Sequence, residues 1–494
     1  MKQKALLLAI LLATGTNLFS QTQQAVIKDP SWKVVAMFDS RYGTTLSLPS
    51  NNVAMIISTE KSDFSIVDMN DKLAEQWNTP LKGYPLAMGK YKGKILVIAA
   101  TEKTFFKTFT GSYKAYLLDE KTGKQLSEKI IYDGNPEFIE QPDFFFAPDG
   151  SYFRMTVRLT SMKRKGNILG FSPSDKNYRL TQGYSIINYD EQFNLKQRTE
   201  PAFPNGRSYT TSNGTDGSLF IAAVDDEGGV INASTYLSNS NSPLKTISVP
   251  LDLRKGSNVK SIFSIAGAKP LTNYLAIIYT NKDKETTLLT LKLNFADGSV
   301  LSEKEVFDGK HEKMLVKSFQ PANKKFDDLQ FSKLEFLGLT HMEEFGDRLL
   351  VSVSPSFFES NGKIAATFDG SVLINVYDEA LKPVYHQFIP RTYMSVSGEG
   401  SKVSYQLNSN TLRMIANMRS GSFSGVSSLY AEMDFKTGQV LAINKIPDSD
   451  IKSGFYVNTE SVSWLNGSCI LPYFDKQRIL RTTRDVQIQL VGYK

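Results

Sequence analysis

Apolar and polar residues alternate along this chain in short blocks. Runs of six or seven residues rich in Val, Ile and Leu recur throughout, and Gly, Asn, Asp or Ser bounds most of them. Runs of this length and composition are typical of β-strands, and helix signals are sparse by comparison. Representative runs are 52–58, 94–100, 219–224, 274–279, 348–353 and 412–418.

A longer pattern is superimposed on the strands. One strand–turn–strand phrase, with Asp or Asn and usually Gly in its turn, recurs along the whole chain. Gly adopts the positive φ that tight hairpins need, and Asp accepts hydrogen bonds from its own backbone. A repeated hairpin of this kind predicts a radial or stacked all-β array. The phrase occurs at 64–73, 115–126, 184–195, 291–301, 372–381 and 431–441.

Two further strand candidates precede each hairpin, which gives four strands per unit, the number in a propeller blade. The predicted blades are 44–80, 86–133, 143–203, 209–251, 260–308, 334–391 and 402–447. An eighth unit has only three strands, at 460–465, 468–473 and 485–492, while residues 32–38 form a strand without a partner. We therefore predict a single β-propeller of eight four-stranded blades, with seven as the alternative. In it the N-terminal strand at 32–38 completes the last blade and leaves no free sheet edges.

Three of the turns carry a family resemblance. The phrases at 118–124 and 433–439 resemble the turn of quinoprotein-like propeller repeats, and residues 146–152 resemble a hairpin of WD40-like repeats. The tryptophan that ends quinoprotein repeats is absent, because Ser127 follows Leu126 and Ala442 follows Leu441. The resemblance implies the propeller fold, and it transfers no cofactor-binding residue to this chain.

The first residues predict export. Lys2 and Lys4 precede an apolar stretch at 5–13, and a small, polar segment ends near Ser20 or Gln21. This is the pattern of a secretion signal at 1–21, followed by a propeller domain at 22–494. The apolar stretch is not followed by a cysteine for a lipid anchor, and no later apolar run is long enough to span a membrane as a helix. We expect a location in the periplasm or at the cell surface, and not an integral membrane protein.

Charge and cysteine content narrow the choice of partners. The formal net charge of +7 is small beside 57 basic and 50 acidic residues, which together with export disfavours nucleic acid as a partner. Cys469 is the only cysteine, so no intramolecular disulfide can form. Its apolar surroundings predict a buried, inert thiol.

No pattern in the chain predicts catalysis. The histidines His311, His341 and His386 lie in separate segments without the spacing of a metal site. The segment 421–425 has Phe423 where a nucleophile elbow needs Ser, and the acidic run beginning at Asp225 is typical of a tight turn. We predict no catalytic, metal-binding or cofactor-binding residue, no cofactor, and a non-enzymatic protein.

Three insertions between the repeats remain as candidate functional segments, at 158–181, 309–333 and 354–368. Long loops on a rigid scaffold commonly carry function. Lys163, Arg164 and Lys165 make the first insertion basic and suited to an acidic protein face, a lipid head group or an acidic glycan. Phe357 and Phe358 in the third insertion are candidate anchors for a partner, or else they pack against the propeller.

These observations favour one function and leave two alternatives. The favoured one is an exported propeller that binds protein as an accessory subunit of a periplasmic or outer-membrane complex, such as secretion or assembly machinery. The first alternative is a secreted glycan-binding or glycan-degrading propeller, which needs an aromatic cleft and facing carboxylates. The second is a quinoprotein-like oxidoreductase.

Overall fold

In a computed structural model of the chain, strands dominate and Thr459–Ser461 forms a short 3-10 helix. The structure describes residues 22–27, 33–35, 44–58, 63–103, 109–133, 142–162, 179–201, 208–225, 229–238, 240–254, 257, 259–307, 336–360, 365–395, 400–408, 410–419, 425–475 and 483–493.

The first half of the chain forms four blades after two N-terminal strands, β1 (Thr22–Ile27) and β2 (Lys33–Val35). Blade 1 consists of β3 (Thr45–Ser47), β4 (Val53–Ser58), β5 (Asp63–Met69) and β6 (Glu75–Lys82). Blade 2 consists of β7 (Tyr84–Tyr91), β8 (Lys94–Lys103), β9 (Phe109–Asp119) and β10 (Gln125–Tyr132). Blade 3 consists of β11 (Asp143–Phe146), β12 (Phe153–Met162), β13 (Arg179–Tyr189) and β14 (Leu195–Thr199). Blade 4 consists of β15 (Ser208–Asn213), β16 (Leu219–Asp225), β17 (Val230–Tyr236) and β18 (Lys245–Pro250).

The second half forms the other four blades. Blade 5 consists of β19 (Ser261–Ala266), β20 (Thr272–Thr280), β21 (Thr286–Asn294) and β22 (Val300–Phe307). Blade 6 consists of β23 (Leu337–Phe345), β24 (Arg348–Ser360), β26 (Val372–Tyr377) and β27 (Pro383–Ile389), with an added β25 (Ala365–Asp369) and β28 (Tyr393–Ser395). Blade 7 consists of β29 (Val403–Leu407), β30 (Thr411–Met418), β31 (Ser427–Asp434) and β32 (Val440–Lys445). Blade 8 consists of β33 (Tyr456–Val457), β34 (Ser463–Trp464), β35 (Ser468–Phe474) and β36 (Thr483–Gly492) together with β1. The predicted all-β propeller is confirmed, with eight blades rather than seven.

Burial changes from strand to strand across each blade. The two middle strands are buried on both faces, as β4 and β26 are along their whole length, because each blade lies between two neighbours. The outermost strands, such as β6 and β18, alternate between exposed and partly buried residues. This explains why the middle strands are continuous apolar runs in the sequence.

The hydrophobic core lies between blades. Each of the eight buried apolar clusters joins one pair of neighbouring blades, and one of them joins blade 8 to blade 1. The smallest lies between blades 3 and 4 and contains Tyr184, Ile186, Leu219, Ile221 and Tyr236. A complete circle of apolar interfaces is what a closed propeller requires.

An N-terminal strand completes the last blade, as predicted, but it begins earlier in the chain. β1 pairs with the Ile488–Gly492 end of β36 and forms most of the outer strand of blade 8. Of the predicted strand at 32–38, Lys33–Val35 continues along the other end of β36, and Lys33 also bridges to Ser58 of blade 1. The sequence did not indicate β1 because Thr22–Ile27 directly follows the predicted signal peptide. That peptide lies outside the described residues.

Strand order gives the propeller two different ends. In an antiparallel blade, the connection from the second to the third strand leaves from the same end as the connection to the next blade. We term this end the loop face, and the end with the remaining turns the turn face. The described strands that flank the insertions 158–181, 309–333 and 354–368 end and begin at the loop face. The turns of the repeated strand–turn–strand phrase lie at the turn face, where Asp119 accepts a hydrogen bond from the Thr122 N–H over 2.9 Å.

Candidate interaction surface

The third insertion is a β-ribbon and not a loop. Within the blade, β24 pairs with β23 as far as Pro355 and with β26 as far as Val353. It then continues beyond the blade and pairs with β25 from Ser356 onwards. Proline has no N–H to donate, so it is tolerated where a strand changes its pairing partner. β25 also pairs with β28, which ties the ribbon to the segment that leads into blade 7.

The ribbon separates the two predicted anchors. Neighbouring residues of a strand point to opposite faces. Phe357 packs on one face between Phe336 and Phe368, with ring centroids 5.5 Å and 5.3 Å away. Phe358 points to the other face and is 65% exposed, while Phe336 is 45% exposed. The two possibilities left open by the sequence, exposure and packing, therefore apply to one phenylalanine each. We term Phe336, Phe357, Phe358 and Phe368 the aromatic ribbon.

Two buried charged residues, Arg391 and Asp369, lie at the base of the ribbon. Arg391 is 5% exposed and its Nε donates to the Asn417 carbonyl oxygen of blade 7 over 3.1 Å. It also donates to the Ser401 carbonyl oxygen. Burial raises the pKa of Asp369, at the end of β25, and the positive charge of Arg391 opposes that rise. The ribbon is therefore fixed to the scaffold at its base, which limits the entropy lost when a partner binds to it.

The other three predicted contact residues fall on a part of the chain that the structure does not describe. Lys163, Arg164 and Lys165 follow the end of β12 at Met162 and lie outside the described residues, so their role stays a prediction. Arg154, which precedes them in the sequence, is 1% exposed and belongs to the core between blades 3 and 4. A partner cannot reach Arg154.

Polar side chains line the axis of the propeller and bond to each other. On the innermost strands, the hydroxyl oxygens of Thr210 and Ser264 are 3.1 Å apart, and those of Thr340 and Tyr405 are 3.2 Å apart. His341 stacks on Tyr405 at a centroid distance of 4.3 Å. These contacts join neighbouring blades, and they give His341 a structural environment.

Two further reactive groups, Cys469 and His386, are also part of the scaffold. Cys469 is fully buried in β35, and burial raises the pKa of its thiol. His386 Nδ1 lies 2.9 Å from Asn375 Oδ1, between blades 5 and 6, and His311 lies outside the described residues. In the part of the chain that the structure describes, no group of three or more His, Cys, Asp or Glu side chains could hold a metal ion. Among the same residues, no helix has the length and apolarity to cross a membrane.

Comparison with known proteins gives matches only at the level of three-dimensional shape. No protein-family model matches the chain, and no curated protein matches it. BamB from Moraxella catarrhalis is 9% identical with a TM-score of 0.38, and the match covers 96% of this chain and 98% of that chain. The WD40 domain of SCAP from fission yeast is 9% identical with a TM-score of 0.37, covering 96% of both chains. BBS1N, solved in complex with ARL6DN, is 14% identical with a TM-score of 0.33, covering 84% of this chain and all of that chain. At such low identities and TM-scores, these matches carry no inference about function.

Proposed function

We propose that this protein is an exported, non-enzymatic β-propeller that binds another protein as an accessory subunit of a periplasmic or outer-membrane complex. The aromatic ribbon of blade 6 is the proposed contact surface. The observation that carries the proposal is Phe358, a large apolar side chain that is 65% exposed at the loop face. Burial of such a side chain by a partner is favourable by about 2 kcal/mol.

Three further observations support this proposal. The sequence predicts export and no integral membrane segment. The reactive side chains of the described residues are engaged in the scaffold, as Cys469 and His341 illustrate. The ribbon extends beyond the blade on strands that are anchored at their base, and rigid aromatic anchors are the usual centres of protein interfaces.

The proposal is tested by affinity capture from crosslinked native cells. The wild-type protein is expected to recover a specific protein partner, and Phe358→Ser is expected to reduce recovery at least tenfold, because central aromatic anchors contribute about 2 kcal/mol or more.

Leu195→Ser is the matched control. Leu195 is also apolar and 62% exposed, but it lies on β14 next to a turn of the turn face. Its substitution is expected to leave recovery unchanged. Recovery of the propeller alone, or equal recovery with Phe358→Ser, would contradict the proposal. Recovery of a polysaccharide in place of a protein would support the glycan-binding alternative.

A further inference from the structure

A pocket opens at the loop face in the blades that precede the ribbon-bearing blade 6. Its volume is about 280 Å³, and three consecutive blades contribute to its wall. It lies at the first residues of β15 and β19, the inner strands of blades 4 and 5, and near the end of β12 in blade 3. The lining residues are Arg158 of blade 3, Ser208 and Tyr209 of blade 4, and Val259, Lys260, Ser261 and Ile262 from the start of blade 5.

The pocket presents positive charge and hydroxyl groups. Arg158 lies over the ring of Tyr209, with its guanidinium carbon 5.1 Å from the ring centroid. Lys260 donates from Nζ to Thr286 Oγ1 over 3.0 Å, which uses one of the three donors of its ammonium group. Two of the lining residues are cationic and none is acidic, so the pocket favours an anion.

The surrounding contacts fix the shape of the wall. The N–H of Lys260 donates to the Ile278 carbonyl oxygen over 2.8 Å, which holds its backbone against β20. Tyr209 meets the buried ring of Tyr184 edge-on at 5.8 Å. Ser261 Oγ accepts the N–H of Leu339 over 3.1 Å, which leaves its own proton able to donate to a ligand. Asp143 of blade 3 acts electrostatically on Tyr184 but does not line the pocket.

We propose that this pocket binds a carboxylate group of an acidic peptide segment on the partner. The inference rests on the proposed function, since the partner must approach the loop face for such a segment to enter. A planar guanidinium, an ammonium group and serine hydroxyls are suited to the two oxygens of a carboxylate. The volume accommodates one side chain or one chain end, and both supply the same chemical group.

Two probes distinguish the two sources of the carboxylate. One is an acetylated tetraglutamate peptide with an amidated C-terminus, which offers side-chain carboxylates alone. The other is an acetylated trialanine peptide with a free C-terminus. Titration calorimetry with the purified full chain is expected to show binding of one probe or both, weakening as salt screens the charges.

The variants place binding in the pocket. Lys260→Gln and Arg158→Gln are each expected to weaken binding about tenfold, because hydrogen bonds to charged groups contribute about 1.5 kcal/mol or more. Lys260 is exposed, so its substitution does not threaten the fold. Lys282→Gln is the control, because Lys282 is an exposed cation at the loop face of the same blade and does not line the pocket.

The inference is overturned if neither probe binds, if Lys260→Gln binds as tightly as the wild type, or if inorganic phosphate binds more tightly than both peptides. The peptide titration needs no partner, so its outcome is separate from that of the capture experiment. Peptide binding without partner capture would overturn the proposed function alone, and partner capture without peptide binding would overturn the pocket alone.

Discussion

Arg154 shows how one buried side chain joins two blades. Its Nε donates to Asn188 Oδ1 within blade 3 over 3.0 Å. Its Nη1 and Nη2 cross to blade 4 and donate to Asn213 Oδ1 and the Gly217 carbonyl oxygen, each over 2.6 Å. These bonds lie at the interface between blades 3 and 4, which has the smallest apolar cluster among the described residues.

We predict that Arg154→Met lowers the free energy of unfolding by about 3 kcal/mol, because three acceptors at this interface lose their charged donor while the volume is nearly kept. Urea unfolding followed by tryptophan fluorescence measures the loss. Arg198→Met is the control, since Arg198 forms a half-exposed ion pair with Glu200 and is expected to change stability by less than about 1 kcal/mol. Equal effects of the two substitutions would show that Arg154 does not join the blades.

Glu305 is a buried carboxyl group between blades 5 and 6. The Tyr377 hydroxyl donates to its Oε1 over 2.6 Å, and His386 Nδ1 lies 3.6 Å from its Oε2. Burial raises the pKa of Glu305 from its ordinary value of 4.5 to about 7, and the nearby charge of Glu303 adds to the rise, while the Tyr377 hydrogen bond opposes it. The fold therefore holds the proton of Glu305 more tightly than the unfolded chain does.

The sign of the resulting pH dependence follows from this difference. The stability that the protonated Glu305 contributes is complete below pH 4.5 and is lost as the pH rises through about 7. We predict that Glu305→Gln removes this loss and is more stable than the wild type at pH 8, by on the order of 3 kcal/mol. Urea midpoints between pH 5 and 8 measure it. Glu75→Gln is the control, because Glu75 is exposed, and its stability is expected to vary with pH as that of the wild type does. If Glu305→Gln also showed the wild-type pH dependence, Glu305 would be ionised in the fold and the prediction would be wrong.

At the scale of elements, the turn phrase has a second role besides reversing the chain. Gly123 has a φ of +69° and lies against the ring of Trp77 on the outer strand of blade 1, while Thr79 Oγ1 donates to its carbonyl oxygen over 2.7 Å. Gly438 repeats this arrangement against Tyr385 of blade 6. The glycine of the repeat therefore joins its blade to the preceding one.

Two glycines with the same backbone conformation separate these roles. Gly93 has a φ of +68° and has no atom within 4 Å of the position a Cβ would take. A Cβ on Gly123 would overlap Trp77 and lie 2.7 Å from Thr79 Oγ1. We predict that Gly93→Ala costs about 1 kcal/mol of unfolding free energy, from the backbone alone. Gly123→Ala is expected to cost about 3 kcal/mol, because the neighbouring blade must also shift. If the two substitutions lowered the free energy of unfolding equally in urea, Gly123 would act only in its turn and would not join the blades.

Local sequence patterns predicted the strands, the turns and the blade count because middle strands are continuously apolar and turns need Asp and Gly. The ribbon of blade 6 was not predicted as a strand because Pro355 interrupts the pattern. Its position, where β24 changes partners, is a property of the tertiary structure. The contact between Gly123 and Trp77 and the pocket around Lys260 also join residues from different blades, which no local pattern can indicate.

At the scale of the whole molecule, the circle of blades separates stability from recognition. Apolar clusters close every interface of the ring, including the one between blades 8 and 1, and short turns cover one end. The strands that flank the insertions end and begin at the other end, because antiparallel strand order places those connections there. We therefore assign recognition to the loop face as a unit, with the aromatic ribbon and the basic pocket on different blades.

The most direct test of this assignment is site-specific photo-crosslinking in native cells, with a photoreactive residue in place of Phe358 or of Lys121. Lys121 is an exposed residue in a turn of the turn face. The account predicts a discrete crosslinked product with another protein from position 358 and none from position 121. Crosslinking from position 121 alone, or from neither position, would contradict it.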